Sequence, residues 1–224
     1  MFEAYMITYL RSDIRRNNFY NTKQKLTSLN LFEAIDFCSD AKHLSDLASE
    51  LFSRKFWDNK LSCGKVGFCM SHYLLYKQPR SNWVLVLEDD NELKPNFNLE
   101  ILEKVIVEAE KAGSVLVFMD TRNKFKSEQF AEKNRISTHL YGMIPQWGSG
   151  AYLINSEGRD QLLSLTPLDS PLDMHYFFWN LSKIDRPTVI ADKHNPFVNM
   201  GVDDYKSRTT TKYGSLLEKK VTLL

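Results

Sequence analysis

Three consecutive carboxylates, Glu88, Asp89 and Asp90, directly follow a run of five apolar residues at 83–87. A run this short and without polar alternation predicts a strand that is covered on both faces, as in a parallel sheet. The carboxyl ends of parallel strands form the edge at which open α/β folds bind their ligands. The sequence therefore places three acids at a predicted ligand-binding edge.

Three adjacent carboxylates repel one another, which raises their pKa values unless a cation offsets the charge. Carboxylate oxygens are hard ligands that suit Mg²⁺ or Mn²⁺, and such ions commonly join one or two acids to substrate phosphates. In an extended segment Glu88 and Asp90 face one side, and Asp89 faces the other. We therefore predict a metal site with Asp90 as the direct ligand, assisted by Glu88 or Asp89. The alternative is an acidic turn that only faces solvent.

Hydrophobic periodicity along the rest of the chain predicts the elements that must position these acids. The predicted strands are residues 4–10, 31–37, 83–87, 114–119, 138–144, 150–154 and 187–191. The predicted helices are residues 17–29, 40–52, 62–78, 98–112, 156–163 and 172–181. Strands that alternate with helices in this way indicate an α/β fold with a mostly parallel central sheet.

Polar and glycine residues define several of the helix boundaries. Asp40, Ser62 and Asn98 are expected to cap the amino ends of their helices, and Gly113 is expected to end the helix at 98–112. Gly64 and Gly67 lie inside the helix predicted at 62–78, where glycine is unfavourable. They indicate a place where another group approaches the backbone of the helix closely.

Length and charge limit the classes of protein to consider. The chain has 224 residues, with 29 Lys and Arg against 28 Asp and Glu. This length fits one domain, which we assign to residues 1–204, followed by a basic tail at 205–224. A net charge of +1 argues against a nucleic-acid-binding protein. Basic stretches at 122–133 and 206–220 are either solvated loops or sites that attract phosphates or an anionic membrane surface.

Cysteine usage and hydropathy indicate the compartment. The chain has three cysteines, and their spacing does not match a metal site or a paired disulfide framework. The amino terminus resembles a first strand rather than a signal peptide, and no apolar run approaches the length of a membrane span. We therefore expect a cytoplasmic protein that is at most peripherally attached to a membrane.

Residues 61–72, followed by residues 83–90, resemble glycosyltransferase family 25, the bacterial lipooligosaccharide galactosyltransferases and their relatives. The family pattern is glycine, a hydrophobic residue, Gly-Cys and Ser-His, and then a hydrophobic strand that ends in Glu-Asp-Asp. Phe68 is inserted into the Gly-Cys pair here. Residues 148–154 are similar to the family's small-residue segment before Tyr-Leu-Ile, and Tyr9 replaces the asparagine of the family's opening motif.

The resemblance implies a GT-A-type fold, a UDP-sugar donor and transfer with inversion at the anomeric carbon. It implies that Glu88, Asp89, His72 and Tyr9 take part in donor binding. Arg15 or the adjacent arginine would pair with a donor phosphate. The alternative for both arginines is exposure at the start of a helix.

An inverting transfer needs a general base that takes the proton of the acceptor hydroxyl. Asp173 is the first candidate because it matches a downstream acid of the family, and Asp120, at the end of a predicted strand, is the second. The alternative role for Asp173 is a favourable interaction with the helix dipole in the first turn of a helix.

The resemblance points to galactose as the sugar, followed by glucose, and to a lipooligosaccharide or another glycan or glycolipid as the acceptor. Two rival functions remain open at this point. The first is another metal-dependent enzyme of nucleotide phosphates, such as a nucleotidyltransferase, although the chain contains no Walker motif. The second is a sugar-nucleotide-binding module without catalytic activity.

Overall fold

The structure is a computed structural model that describes residues 2–58, 62–119, 133–142, 150–172, 188–190 and 195–199. Within these residues the chain forms nine strands and six helices. The strands are β1 (Phe2–Thr8), β2 (Leu29–Glu33), β3 (Trp83–Glu88), β4 (Asn91–Leu93), β5 (Leu116–Phe118), β6 (Leu140–Gly142), β7 (Ala151–Ile154), β8 (Thr188–Ile190) and β9 (Phe197–Asn199). The helices are α1 (Asp13–Lys25), α2 (Phe37–Leu51), α3 (Arg54–Asp58), α4 (Cys63–Tyr76), α5 (Leu99–Ala112) and α6 (Ser156–Ser164).

Seven strands form one mixed sheet in the order β2-β1-β3-β7-β5-β8-β6. Strand β1 pairs in parallel with both β2 and β3, and β5 pairs in parallel with β8. Strand β7 lies antiparallel between β3 and β5, and β6 is antiparallel to β8. Five of the seven strands of this sheet, all but β6 and β7, therefore run in one direction, which confirms the predicted α/β class and mostly parallel sheet. The remaining two strands, β4 and β9, form a separate antiparallel pair.

Both faces of the sheet are covered, as the apolar run at 83–87 predicts. Val84 and Val86 pack into the cluster that includes residues of α2, α3, α4 and α6. Trp83, Leu85 and Leu87 alternate with them and pack into the opposite cluster, which includes residues of α1 and α5. Because β3 is buried on both sides, its end is held firmly, and the acids that follow begin from a fixed point.

Several boundaries differ from the prediction. Helix α2 begins at Phe37, and its N-cap is Asp36, whose side chain accepts the Ser39 N–H. Asp40 lies in the first turn of that helix instead. The short elements α3, β4 and β9 are too brief to show a hydrophobic period, so the sequence did not indicate them. The helix predicted at 172–181 lies outside the described residues except for its first residue.

Other boundaries are confirmed. Ser62 caps α4 and accepts the Lys65 N–H. Asn98 caps α5, and Gly113 ends it in the left-handed region at φ 64°. Among the helices that the structure describes, none combines the length and apolar character needed to cross a bilayer.

Gly67 allows α4 to approach the connection between β2 and α2. A Cβ atom at this position would lie 2.3 Å from the backbone oxygen of Ile35. One turn later, Ser71 accepts the Ile35 N–H at 2.8 Å and donates to the Gly67 carbonyl at 2.7 Å. The close approach predicted from the glycines of this helix is therefore present at Gly67.

Gly67→Ala is expected to destabilise the protein by about 1–3 kcal/mol, because the new methyl group must displace backbone rather than a flexible side chain. This clash outweighs the gain of about 1 kcal/mol that alanine brings to a helix. Thermal unfolding should show a loss of about 2–4 °C for each kcal/mol in a chain of this size. An unchanged or higher midpoint would mean that the Ile35 connection yields at little cost.

Glu108 fastens the segment before β6 to α5. Its carboxylate accepts hydrogen bonds from the Ser137 hydroxyl and the His139 N–H, and one oxygen lies 2.7 Å from His139 Nδ1. Burial raises the pKa of Glu108, but these hydrogen bonds outweigh burial and leave the pKa below its usual value of 4.5. The ionised carboxylate therefore stabilises the folded state.

Glu108→Gln is expected to cost about 1 kcal/mol of unfolding free energy at pH 7. Because the folded-state pKa is lowered, this contribution is present above the unfolded-state pKa and is lost as the pH falls through the folded-state value. The difference from wild type should therefore shrink below about pH 4.5 in urea unfolding. The exposed Glu103→Gln, on the same helix, is the control and should change little at any pH.

Candidate functional site

The carboxyl ends of β1, β2 and β3 meet at one edge of the sheet. The parallel register aligns Thr8 with Glu33 on one side of β1 and Ile7 with Glu88 on the other. The chain leaves β1 into Tyr9 and leaves β3 into Asp89. The acidic cluster therefore lies beside the first connection between a strand and a helix, as expected for a ligand-binding edge.

Asp89 is buried in this edge, with 7% of its surface exposed. Its carboxylate accepts the Tyr9 N–H at 3.3 Å and forms an ion pair with Arg15 at 3.3 Å. Burial raises the pKa of Asp89 above its usual value, and the Arg15 guanidinium limits that rise without cancelling it. A cation supplied by the protein therefore offsets the charge of the middle acid.

Asn18 fixes the turn that carries the acids. This buried residue of α1 donates from Nδ2 to the backbone oxygens of Asp89 and Asn91, both at 2.9 Å. Asn91 donates in turn to the Asp90 carboxylate at 2.8 Å. Asp90 therefore lies in a turn that is tied to α1 on both sides.

Tyr9 connects the acidic edge to the start of α2. Its hydroxyl donates to the Asp36 carboxylate at 2.6 Å, and Arg11 lies 3.8 Å from the same carboxylate. Burial raises the pKa of Asp36, but the hydrogen bonds of Tyr9 and Ser39 lower it further than burial raises it. Two acids therefore fix the position of Tyr9, because Asp89 accepts its backbone N–H and Asp36 accepts its hydroxyl proton.

Glu88 lies on the opposite side of the chain from Asp89, next to His72. The Glu88 N–H donates to the Gly150 oxygen at 2.7 Å, which fixes its backbone to the start of β7. Its carboxylate lies 3.7 Å from His72 Nε2. His72 is 1% exposed, and its Nδ1 is 2.7 Å from the Tyr152 hydroxyl. His72 therefore lies beneath Glu88 rather than at the surface of the edge.

The structure brings together most of the residues that the sequence proposed. Tyr9 and Arg15 each contact the Asp89 carboxylate, and His72 lies beside Glu88. The arginine next to Arg15 differs, because Arg16 pairs with the exposed Asp13 in its own helix. Both candidates for the general base, Asp120 and Asp173, lie outside the described residues.

Three further residues of the site had no recognised signal in the sequence. Asn18, Asp36 and Tyr152 make their contacts across 27 to 80 positions of the chain. Tyr152 was recognised only as part of a strand motif. The N-cap role of Asp36 is the one signal that was available, because Asp is a favoured capping residue before a helix.

Carboxylate oxygens, which this edge carries, are the ligand type that a hard divalent cation prefers. Glu88 and Asp90 supply two carboxylates, with the third acid, Asp89, already paired to Arg15. Throughout the part of the chain that the structure describes, no group of three or more His, Cys, Asp or Glu residues surrounds a common point. A Mg²⁺ or Mn²⁺ ion that shares one or two carboxylates with substrate phosphates has this donor set.

Comparison with known proteins gives the family. Residues 1–175 match the family described as glycosyltransferase family 25, LPS biosynthesis protein. The chain belongs to glycosyltransferase family 25. The match covers the acidic edge, α4 with His72, and β7. No curated protein sequence matches the chain significantly.

Solved structures agree with a GT-A-type fold for this family 25 chain. A structure of S. aureus TarS residues 1–349 is 14% identical with a TM-score of 0.50, and the match covers 92% of this chain and 62% of that one. The same TarS fragment with UDP-GlcNAc is 12% identical with a TM-score of 0.46, over 85% and 56% of the two chains. The likeness at 0.50 shows the fold alone. This chain spans less than two thirds of the length of either TarS structure.

A more distant structure is that of a Drosophila beta-1,4-galactosyltransferase 7 mutant with manganese, UDP-Gal and xylobiose. It is 8% identical to this family 25 chain with a TM-score of 0.39, and the match covers 100% of this chain and 82% of that one.

Asp89→Asn should lower the unfolding free energy by about 1–3 kcal/mol, because Arg15 loses its charged partner at a buried position. The matched control is Asp13→Asn, which alters an exposed pair with Arg16 and should cost less than about 0.5 kcal/mol. Urea unfolding of both variants measures the difference. Equal losses would mean that Asp89 does not organise the edge.

Proposed function

We propose that this family 25 protein is an inverting glycosyltransferase that moves a hexose from a UDP-sugar to a glycan acceptor with the help of a divalent metal ion. The observation that carries the proposal is the arrangement of Glu88, Asp89 and Asp90 at the carboxyl edge of three parallel strands, with Asp89 neutralised by Arg15. Family membership over residues 1–175 supports the reaction class.

Glu88 and Asp90 are the residues that we assign to the donor side of the reaction. Glu88 is the last residue of β3, and Asp90 lies just beyond it. The Gly150 carbonyl fixes this end of the strand at Glu88, and Asn18 fixes the turn that follows. Groups held this firmly can orient a bound diphosphate without rearranging first, which favours catalysis. When bound between these carboxylates and the donor, Mg²⁺ or Mn²⁺ would offset the charge on the departing nucleoside diphosphate.

Tyr9 and Arg15 form the second side of the proposed donor site. The side chain of Arg15 is 28% exposed beside Asp89, so its guanidinium reaches the same edge as the acids. A guanidinium recognises phosphate oxygens through several N–H groups at once. Tyr9 is held by its two hydrogen bonds next to this cation and is assigned to donor binding.

The chemical step needs a base for the acceptor hydroxyl. A carboxylate takes that proton as the hydroxyl oxygen attacks the anomeric carbon, and the bond to the nucleoside diphosphate breaks on the opposite side. We assign this role to Asp173, with Asp120 as the second candidate. Both are assigned from the sequence.

We propose galactose as the sugar, with glucose as the second choice, and a lipooligosaccharide or a related glycolipid as the acceptor. Such an acceptor would place the enzyme at the cytoplasmic face of an inner membrane. The basic residues at 206–220 would then attract anionic lipid headgroups.

Thermal unfolding with a panel of UDP-sugars, each with Mn²⁺ and with a chelator, tests the donor class. A ligand at about 100 times its dissociation constant adds about 2.7 kcal/mol of stability. We expect one UDP-sugar to raise the unfolding midpoint only when metal is present. The absence of a shift for every UDP-sugar would contradict the proposed donor.

Asp90→Asn should remove the metal-dependent part of that shift, because an amide oxygen is a weaker ligand for a hard cation than a carboxylate. Asp46→Asn, an exposed change on α2, is the matched control and should keep the full shift. Turnover with an acceptor should release nucleoside diphosphate. Release of pyrophosphate would instead identify a nucleotidyltransferase.

A further inference from the structure

A chain of buried polar groups runs beneath the acidic edge. The Tyr76 and Tyr152 hydroxyls are 2.7 Å apart, and the Tyr152 hydroxyl is 2.7 Å from His72 Nδ1. Their exposed fractions are 4%, 0% and 1% for Tyr76, Tyr152 and His72. Buried polar groups cost free energy unless each is hydrogen-bonded, so the direction of these bonds matters.

His72 Nε2 is the last polar atom in this series of buried groups. Within the described residues, His72 Nε2 is buried and has no hydrogen-bond partner. The charged group beside it is Glu88, whose Oε1 lies 3.7 Å away. An ionised carboxylate only accepts hydrogen bonds, so a proton on Nε2 is the arrangement that satisfies both groups.

The proton on each of these three side chains determines which group donates and which accepts in the hydrogen bonds of the series. In a neutral imidazole whose single proton is on Nε2, Nδ1 accepts, and its donor is the Tyr152 hydroxyl. Tyr152 then accepts from Tyr76. Burial raises the pKa of both tyrosines, so both hydroxyl protons are retained at neutral pH.

We propose that His72 is a positioning residue for Glu88. Tyr76 donates to Tyr152, Tyr152 donates to His72 Nδ1, and the Nε2–H is thereby directed at the Glu88 carboxylate. His72 thus acts from below the edge and does not contact the donor itself. The role of Glu88 in donor binding rests on the proposed function, whereas the direction of the hydrogen bonds does not.

Strand β7 and helix α4 hold these hydrogen-bonded side chains rigidly. Tyr152 is a residue of β7 and lies opposite Val86 of β3, and His72 is a residue of α4. The Phe68 ring packs 4.5 Å from the His72 ring. The imidazole is therefore fixed by two elements, while the Glu88 side chain, 22% exposed, is the group that can adjust.

The present distance is about 0.7 Å longer than an ordinary N–H···O hydrogen bond. Contacts of this kind commonly tighten when a ligand binds. A donor or metal ion bound to Glu88 would stop its side chain from turning away. The Nε2–H would then hold one carboxylate oxygen, and the other would remain directed at the ligand.

The first test measures the tautomer of His72 by ¹⁵N NMR of the free protein. The His72 signals are assigned by their loss in His72→Gln, since the chain has five histidines. We expect Nδ1 to be unprotonated and Nε2 to be protonated. Tyr152→Phe should abolish this preference, whereas Tyr76→Phe, which removes the neighbouring hydroxyl, should keep it. A proton on Nδ1 in the wild type would overturn the proposal.

The second test measures the effect on binding of UDP with Mn²⁺ by calorimetry. Glutamine places an amide N–H near the position of Nε2, and asparagine places one near Nδ1. We expect His72→Asn to weaken binding about tenfold and His72→Gln to stay within about threefold of wild type. Equal losses in both variants would contradict positioning through Nε2. Failure of the wild type to bind UDP would contradict the proposed function, and the tautomer measurement would still decide this inference.

Discussion

The carboxylate of Asp89 is buried where the segment after β3 meets the segment after β1. The arrangement of the acidic edge depends on which groups balance the negative charge of this carboxylate. Burying a carboxylate costs several kcal/mol unless a cation and hydrogen bonds replace its water. Arg15 supplies the cation, and the Tyr9 N–H supplies a hydrogen bond. Because both partners lie between β1 and the first turns of α1, the ends of β1 and β3 are held at a fixed separation.

The sheet determines which other residues can join this edge. Parallel pairing of β1 with β2 and β3 directs three strand ends to the same side. Strand β7 lies next to β3 and runs in the opposite direction. This arrangement places its residue Tyr152 beneath the end of α4. The edge and its support are thus assembled from segments that lie far apart in the sequence. A change in the register of β7 by one residue would turn Tyr152 to the other face of the sheet and away from His72.

The sequence predicted the parts that local chemistry determines. The apolar run at 83–87 indicated a strand buried on both faces, which is confirmed. Gly64 and Gly67 indicated a close approach to the helix backbone, which is confirmed at Gly67. Alternation along an extended segment separated Asp89 from its two neighbours, and Asp89 does turn inward to Arg15 while Glu88 faces His72.

The remainder depends on partners that are distant in sequence. The expected contact of Arg15 with a phosphate stays a prediction. Its contact with Asp89 joins residues 74 positions apart, which no local pattern indicates. The sequence also does not indicate the direction of β7 in the sheet, because a strand of four buried residues has the same composition whichever way it runs. The N-cap of α2 was assigned to Asp40 rather than Asp36, since both are favoured capping residues and only the backbone distinguishes them.

The division of roles among the three acids has a consequence for the proposed donor site. A divalent ion held by three ionised carboxylates would carry a net charge of about −1 with its ligands and would repel the donor diphosphate. Because Arg15 forms an ion pair with Asp89, the charge of this carboxylate is balanced without the metal ion. With Glu88 and Asp90 alone the ion and its ligands are neutral, and the ion pair of Arg15 with Asp89 adds no net charge. The buried ion pair at Asp89 therefore makes the edge electrostatically compatible with a phosphorylated donor, in addition to holding its shape.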